Sequence, residues 1–183
     1  MSPLPIDLSD GASLRRLTLE DAEAVFQVVD VNRERLAEWM PWIDGTQGVE
    51  DQRAWIARVT ADPDEREGVG IFVDGRYVGG AGLSVGPFRF AGEIGYWIDA
   101  AHEGRGLVTR AVRALVDLGF GELGLHRIAI RAGVDNARSR AIPERLGFTR
   151  EGVLRGDGKG SAGYGFHDLV VYGLLEDEWH PSA

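Results

Sequence analysis

Apolar positions recur along the chain with two periods, and their order outlines the fold. A short strand is expected at "LRRL", after which Ala22, Val25, Phe26 and Val29 follow at helical spacing. Thr18, with Asp21 three residues on, has the form of a capping box at that helix start. A second helix should end near "MPWIDG". The stretch "VEDQRAWIARVTAD" reads as a third, with Trp55, Ile56 and Val59 on one face. In "GVGIFVDGRYVGGAGLSV" two apolar runs are joined by Asp74 and Gly75, a hairpin signal. The next strand, "GEIGYWIDA", contains Gly95, which points to a bulge or a close backbone approach. A helix from Leu107 to Leu118, a strand "HRIAIRAG", a short helix from Ala137 to Leu146 and two strands, "FTREGVLR" and "FHDLVVYGLL", complete the order. The Gly-rich "GDGKGSAGYG" between those last strands is expected to be a mobile loop. Helices interleaved with a strand meander predict an α/β chain of the α+β kind, with a mixed, mostly antiparallel sheet. No linker, repeat or low-complexity run divides the 183 residues, so 1–183 are expected to form a single domain.

Composition and charge then narrow the chemistry. There is no Cys, and a chain of this length can bury a core without disulfides. The net charge of −9 argues against a nucleic-acid partner held by phosphate neutralisation. That charge is uneven, because residues 105–150 hold nine arginines against four acids. An anionic ligand on the positive segment, with a cationic substrate drawn to the remainder, is the use this asymmetry suggests. The start "MSPLPIDLSD" lacks the basic head and apolar run of a secretory signal, and no segment approaches the ~20 apolar residues of a bilayer span. A cytoplasmic protein without membrane contact is therefore expected. His102, His126, His167 and His180 are dispersed without metal-ligand spacing, so no metal is implied.

One stretch invites chemistry. In "DAAHEGRGLVTRAV", Gly104 and Gly106 flank Arg105 at the mouth of a helix. The dinucleotide fingerprint begins this way, but Thr109 stands where its third glycine belongs, and no acid follows about twenty residues on to hold a ribose. The ATPase loop fails because no Gly-Lys-Ser/Thr follows. A plain loop stays open. So does a cradle for another phosphate: glycines turn the backbone tightly, Arg105 adds charge, and the helix from Leu107 aims unpaired N–H groups at one spot, with Thr109 adding a hydroxyl.

These residues carry a resemblance. "HEGRGLVTRAV" is similar to the acetyl-CoA loop of the GNAT N-acetyltransferases, written QxxGxG/A, and "VDNARSRAIPERLGFTREGVLR" resembles their second signature, an Asn before a short helix ending Glu-Arg/Lys-Leu-Gly-Phe. "LAEWMPW", "GEIGYWID" and "HDLVVYGLLEDEW" resemble the RimJ/RimL branch, which acetylates protein N-termini, ribosomal ones included. The likeness runs from about Leu14 to Trp179. It implies the GNAT fold, with about seven strands and helices on both faces, acetyl-CoA as co-substrate, an amine acceptor, and dimers in related enzymes. Cofactor contacts are implied for Trp97, Ile98, Asp99, Gly104, Arg105, Gly106, Leu107, Val108, Thr109 and Asn136. Glu103 departs from the pattern's Gln or Arg, and Val108 from its Gly or Ala; a carboxylate should avoid phosphate, so Glu103 is expected to point away.

Acetyl transfer needs a neutral amine, a polarised thioester and a proton for the thiolate. The resemblance gives Glu93 the base's part, with Asp157 second. Many relatives carry a Tyr acid where this chain has Pro143, which has no proton to give, and Ser139 becomes the candidate acid. Asn136 can cap its helix as well as meet the cofactor. Trp39, Met40 and Trp42 read either as core or as a wall of the acceptor pocket, and Phe88 and Phe90 as a cover for the site. Without Cys, direct attack is favoured over a cysteine-linked intermediate. A small amine such as an aminoglycoside, polyamine or peptide antibiotic is the alternative acceptor, and a non-catalytic acyl-CoA sensor is the alternative class.

Overall fold

A computed structural model describes residues 4–61 and 68–180. Within them the chain runs β1 (Ile6–Ser9), β2 (Ala12–Arg16), α1 (Ala22–Val31), α2 (Arg33–Ala37), α3 (Val49–Val59), β3 (Val69–Val73), β4 (Arg76–Val85), β5 (Ala91–Ile98), α4 (Leu107–Gly121), β6 (Arg127–Gly133), α5 (Ala137–Arg145), β7 (Thr149–Lys159) and β8 (Phe166–Leu175). The strands form one sheet in the order β1-β2-β3-β4-β5-β6-β8-β7. Asp74 and Gly75 make the expected hairpin turn, both at positive φ, so that Val73 sits opposite Arg76.

Amphipathic spacing decides which helix covers which face. Leu107, Ala111, Val112, Leu115 and Val116 of α4 are buried against Leu14, Ile71, Leu83, Ile94, Ile128 and Ile130. Gly119 lets α4 approach closely, since a Cβ there would lie 2.7 Å from Ile128 Cδ1. The opposite face carries a second core, in which Val25, Val29 and Ile56 of α1 and α3 cover Phe72 and Tyr77. Among the described residues, no helix is long and apolar enough to cross a membrane.

One irregularity in the sheet positions the site. β5 and β6 are parallel neighbours, but their pairing is confined to Ala91–Glu93 against Arg127–Ala129. Beyond Glu93, β5 keeps to β4 as far as Gly79 opposite Ile98, while β6 keeps to β8 as far as Gly133 opposite Leu169. A gap opens between them.

Two expectations are corrected. The sheet has eight strands because the four-residue β1, too short to show alternation, pairs with β2 and buries Leu8. "GDGKGSAGYG" is not a mobile loop: β7 continues through Gly156 to Lys159, past a register shift. The residues after Lys159 are held too. Ser161 N–H donates to Ala37 C=O at 2.7 Å and Ala162 N–H to the Asp44 carboxylate at 2.8 Å, tying this segment to α2 and the turn at Pro41–Gly45.

Candidate active site

The glycine stretch forms a cradle. Gly104 and Gly106 have φ of 73° and 72°, a left-handed backbone that favours glycine, and Gly106 caps α4. Leu107, Val108 and Thr109 stand in the first turn, where N–H groups lack partners inside the helix. Arg145 Nη1 donates to Thr109 Oγ1 at 3.1 Å, which leaves that hydroxyl's own proton for an anion. These features fit a pyrophosphate: donors converge at a helix N-terminus, with Arg105 beside them. Glu103 turns to other cations, accepting from Arg35 Nη1 at 2.9 Å and Arg138 Nη1 at 2.6 Å.

A buried amide fastens this loop to the helices on the other face. Asn32, 4% exposed, uses its full capacity. Its Nδ2 donates to Val28 C=O and Asp99 Oδ1, and its Oδ1 accepts from Ala100 N–H and Arg35 Nη2. Burial acts to raise the Asp99 carboxyl, yet hydrogen bonds from Asn32 and His102 hold it below the ordinary value. Asp99 N–H donates to Val78 C=O at 2.8 Å. Antiparallel alternation then directs the Trp97 and Asp99 backbone groups at β4 and those of Tyr96 and Ile98 at the gap. Of the three residues expected to offer backbone groups to the thioester arm, Ile98 alone faces the gap; the second facing residue is Tyr96. The Ile98 carbonyl already accepts from Arg35.

On the far side of the gap, Asn136 Oδ1 caps α5 by accepting from Ser139 N–H at 3.0 Å, so its amide NH2 is left over. Pro143 lies inside α5 and removes the N–H that would reach the carbonyl four residues back, that of Ser139. Tyr96 fills the vacancy: its hydroxyl donates to Ser139 C=O at 2.8 Å and accepts from Ser139 Oγ at 3.3 Å. Burial pushes the Tyr96 hydroxyl well above its ordinary pKa. The helix that lacks its relatives' tyrosine thus has a tyrosine hydroxyl at Ser139, supplied from β5. Sequence spacing gives no sign of this, since 43 residues separate the partners.

A cavity of about 760 Å³ lies on the α1–α3 side of β4 and β5. Met40, Trp42, Trp55, Tyr77 and Trp97 supply its aromatic and apolar wall, and Gly95 and Tyr96 bring it to the strand that borders the gap. Trp42 thus lies on the wall of this cavity. Trp39 is elsewhere: its ring occupies the room above Gly133 and meets His167 edge-on at 5.2 Å. Phe88 and Phe90 stack on each other in the β4–β5 connection and do not line the cavity.

The two candidate bases converge on one cation. Arg131 Nε and Nη2 each lie 2.9 Å from the Glu93 carboxylate, and Nη1 lies 3.1 Å from Asp157 Oδ2. The Glu93 hydrogen bond is the main cause that holds the Arg131 guanidinium above its ordinary pKa. Neither acid is among the cavity's lining residues. Among the described residues, no three His, Asp or Glu groups come together as metal ligands.

An anion cradle and an apolar cavity that meet across one strand make the layout of a group-transfer enzyme. Residues 13–149 match the family described as Acetyltransferase (GNAT) domain, and the chain belongs to the GNAT acetyltransferases, as an acetyl-CoA-dependent N-acetyltransferase. It is 37% identical over 177 residues to the Bacillus subtilis (strain 168) protein named "Putative ribosomal N-acetyltransferase YdaF", with 94% of this chain and 95% of that one covered. It is 26% identical over 161 residues to the Escherichia coli (strain K12) "Ribosomal-protein-serine acetyltransferase", covering 82% and 86%. Among solved structures, the "Microcin C7 self immunity acetyltransferase MccE in complex with Acetyl-CoA and AMP" superimposes with a TM-score of 0.84 at 25% identity, covering 95% and 97%. Enzyme rather than non-catalytic sensor is the class this membership gives.

Proposed function

We propose that this chain transfers the acetyl group of acetyl-CoA to the α-amino group of a protein N-terminus, by direct attack of the amine on the thioester. One observation carries the reading: the apolar cavity reaches β5 at Gly95–Trp97, and the same strand offers the backbone of Tyr96 and Ile98 to the gap. An amine entering from one side and a thioester lying in the other would meet there. The cradle from Gly104 to Thr109 binds the pyrophosphate, and the Asn136 amide pairs with the pantetheine arm. A backbone N–H of β5 polarises the thioester carbonyl. Ser139 Oγ turns its proton from Tyr96 to the departing thiolate and regains one from water, so that the thiol leaves neutral and the serine is restored. Glu93 receives the amine's proton through water, with Arg131 holding its carboxylate in place. The names of the two bacterial relatives support a ribosomal protein as acceptor, and such an acceptor goes with a cytoplasmic enzyme.

A small amine is the second reading. The tryptophans in the cavity favour it, because flat rings accept heterocycles as well as side chains, and the similar MccE structure is a complex with acetyl-CoA and AMP. Steady-state thiol release with N-terminal peptides, polyamines and amino-nucleosides separates the two. Peptides should have the highest kcat/KM, and turnover of small amines alone would overturn the first reading.

A further inference from the structure

Gln52 is a polar residue of the cavity wall to which acetyl transfer itself gives no part. It belongs to the inward face of α3 with Ile56 and Val59, is 4% exposed, and lines the cavity. Its carboxamide makes no hydrogen bond with any described residue, and its polar atoms are not sealed in the core but open to the cavity. Two donor hydrogens and an acceptor oxygen therefore border a space whose wall is largely aromatic and apolar. The charges of the lining decide what can enter. Among the described lining residues the ionisable acid and base are Asp51 and Arg58, one of each sign, and Asp51 Oδ2 accepts from the Gln47 and Gly48 N–H groups at the start of α3. A second ammonium group on the acceptor would lose its water and meet Arg58 as well as Asp51, so the described lining gives it no net attraction in return.

We infer that Gln52 reads the first peptide group of the acceptor, its carboxamide pairing with the N–H and C=O that follow the amino-terminal residue, and that the cavity excludes polyamines. This rests on the reading of the acceptor as a peptide N-terminus. The side chain beside that peptide group is uncharged and packs against Trp42, Trp55 and Trp97, where an aromatic or aliphatic group replaces water. Gln52 is thereby a specificity residue.

The test is a set of initial rates at saturating acetyl-CoA for the full chain and two variants, Gln52→Met, an apolar near-isostere, and Gln52→Glu. Three acceptors serve: a neutral Ser-Phe peptide amide, the same peptide N-methylated at its first peptide bond, and spermidine. In the parent, N-methylation should raise KM about tenfold, the worth of a lost buried hydrogen bond. Gln52→Met should raise the KM of the unmodified peptide by a similar factor with kcat within twofold, and N-methylation should then add little. Gln52→Glu, with a carboxylate facing the cavity, should turn over spermidine at least tenfold faster than the parent. Because the methylated peptide probes the parent protein, the inference stays open to refutation even if a variant folds poorly. Unchanged KM on N-methylation, or spermidine used by the parent as well as the peptide, overturns the inference while leaving N-terminal acetylation standing. Failure to acetylate any peptide overturns that reading and this one together.

Discussion

Gly95→Val separates the cavity's chemistry from the protein's stability. Gly95 lines the cavity from the middle of β5, and a Cβ built there meets no atom within 4 Å. Its backbone lies outside the left-handed region, so a β-branched residue adds no strain. Replacing a strand glycine with valine favours the sheet by up to ~1 kcal/mol, about 2–4 °C in Tm for a chain of this size. The valine methyls project into the cavity, where the proposed reaction has amine and thioester meet. A misplacement of ~1 Å at a reacting centre costs about a hundredfold in rate, or ~2.7 kcal/mol of barrier. Thermal melts, coenzyme A affinity by calorimetry and kcat/KM for a peptide acceptor should therefore give an equal or higher Tm, unchanged affinity, and a roughly hundredfold fall in kcat/KM. Gly92→Val is the contrast: its Cβ would sit 2.7 Å from Leu83 Cδ1 and 3.0 Å from Leu125 Cδ1, and overpacking should cost ~1–3 kcal/mol of stability. Full activity in Gly95→Val would show that the acceptor does not bind in this cavity, and a lowered Tm would refute the account of β5.

Other outcomes follow from single contacts. Gly106→Val puts a β-branched residue at φ 72° and should weaken coenzyme A binding at least tenfold by calorimetry, with ~1–3 kcal/mol of strain. Tyr96→Phe leaves the Ser139 carbonyl unpaired at a cost of ~1–3 kcal/mol; adding Pro143→Ala returns the missing N–H and should recover about half of that loss in denaturant melts, whereas additive losses would contradict the exchange. Glu103→Gln frees Arg138 and should leave the KM for acetyl-CoA unchanged or lower; a raised KM would mean that Glu103 serves the cofactor directly. The Asp99 carboxyl is held low, so its contribution is present above its unfolded pKa near 4 and lost as pH falls through the lower folded value. The stability gap between parent and Asp99→Asn should close as melts are taken from neutral pH to below pH 3.

What the sequence disclosed, and what it hid, depends on the range of the interactions. The stripe from Leu107 to Leu118, the Asp74–Gly75 turn and the Gly104–Thr109 cradle are set by neighbours within a few residues, and each formed where periodicity or turn chemistry put it. The two signatures around Gly104 and Asn136 indicated the family for the same reason. Strand β1 escaped because four residues cannot display a period, and the end of β7 because glycines that loosen an isolated strand are held here by β8 and α2. The remaining surprises are pairings over long sequence distance. Tyr96 finds Ser139, Arg131 gathers Glu93 and Asp157, and Asn32 holds Asp99. Trp39 shows the limit of motif reasoning: three residues from Trp42, it packs on Gly133 rather than lining the cavity. Gln52 left no trace in the sequence, because an amide on a helix face is ordinary until its partners are counted.

In the proposed reaction one strand brings an amine from the apolar cavity to a thioester in the gap. Mass spectrometry of a Ser-initiated peptide incubated with the purified chain and acetyl-CoA reads the outcome. One added acetyl group per peptide is expected, located by fragmentation on the α-amine, and its loss in Gly95→Val while coenzyme A still binds. Acetylation confined to lysine side chains, or coenzyme A binding with no acetyl transfer to any peptide α-amine, would contradict the proposed reaction.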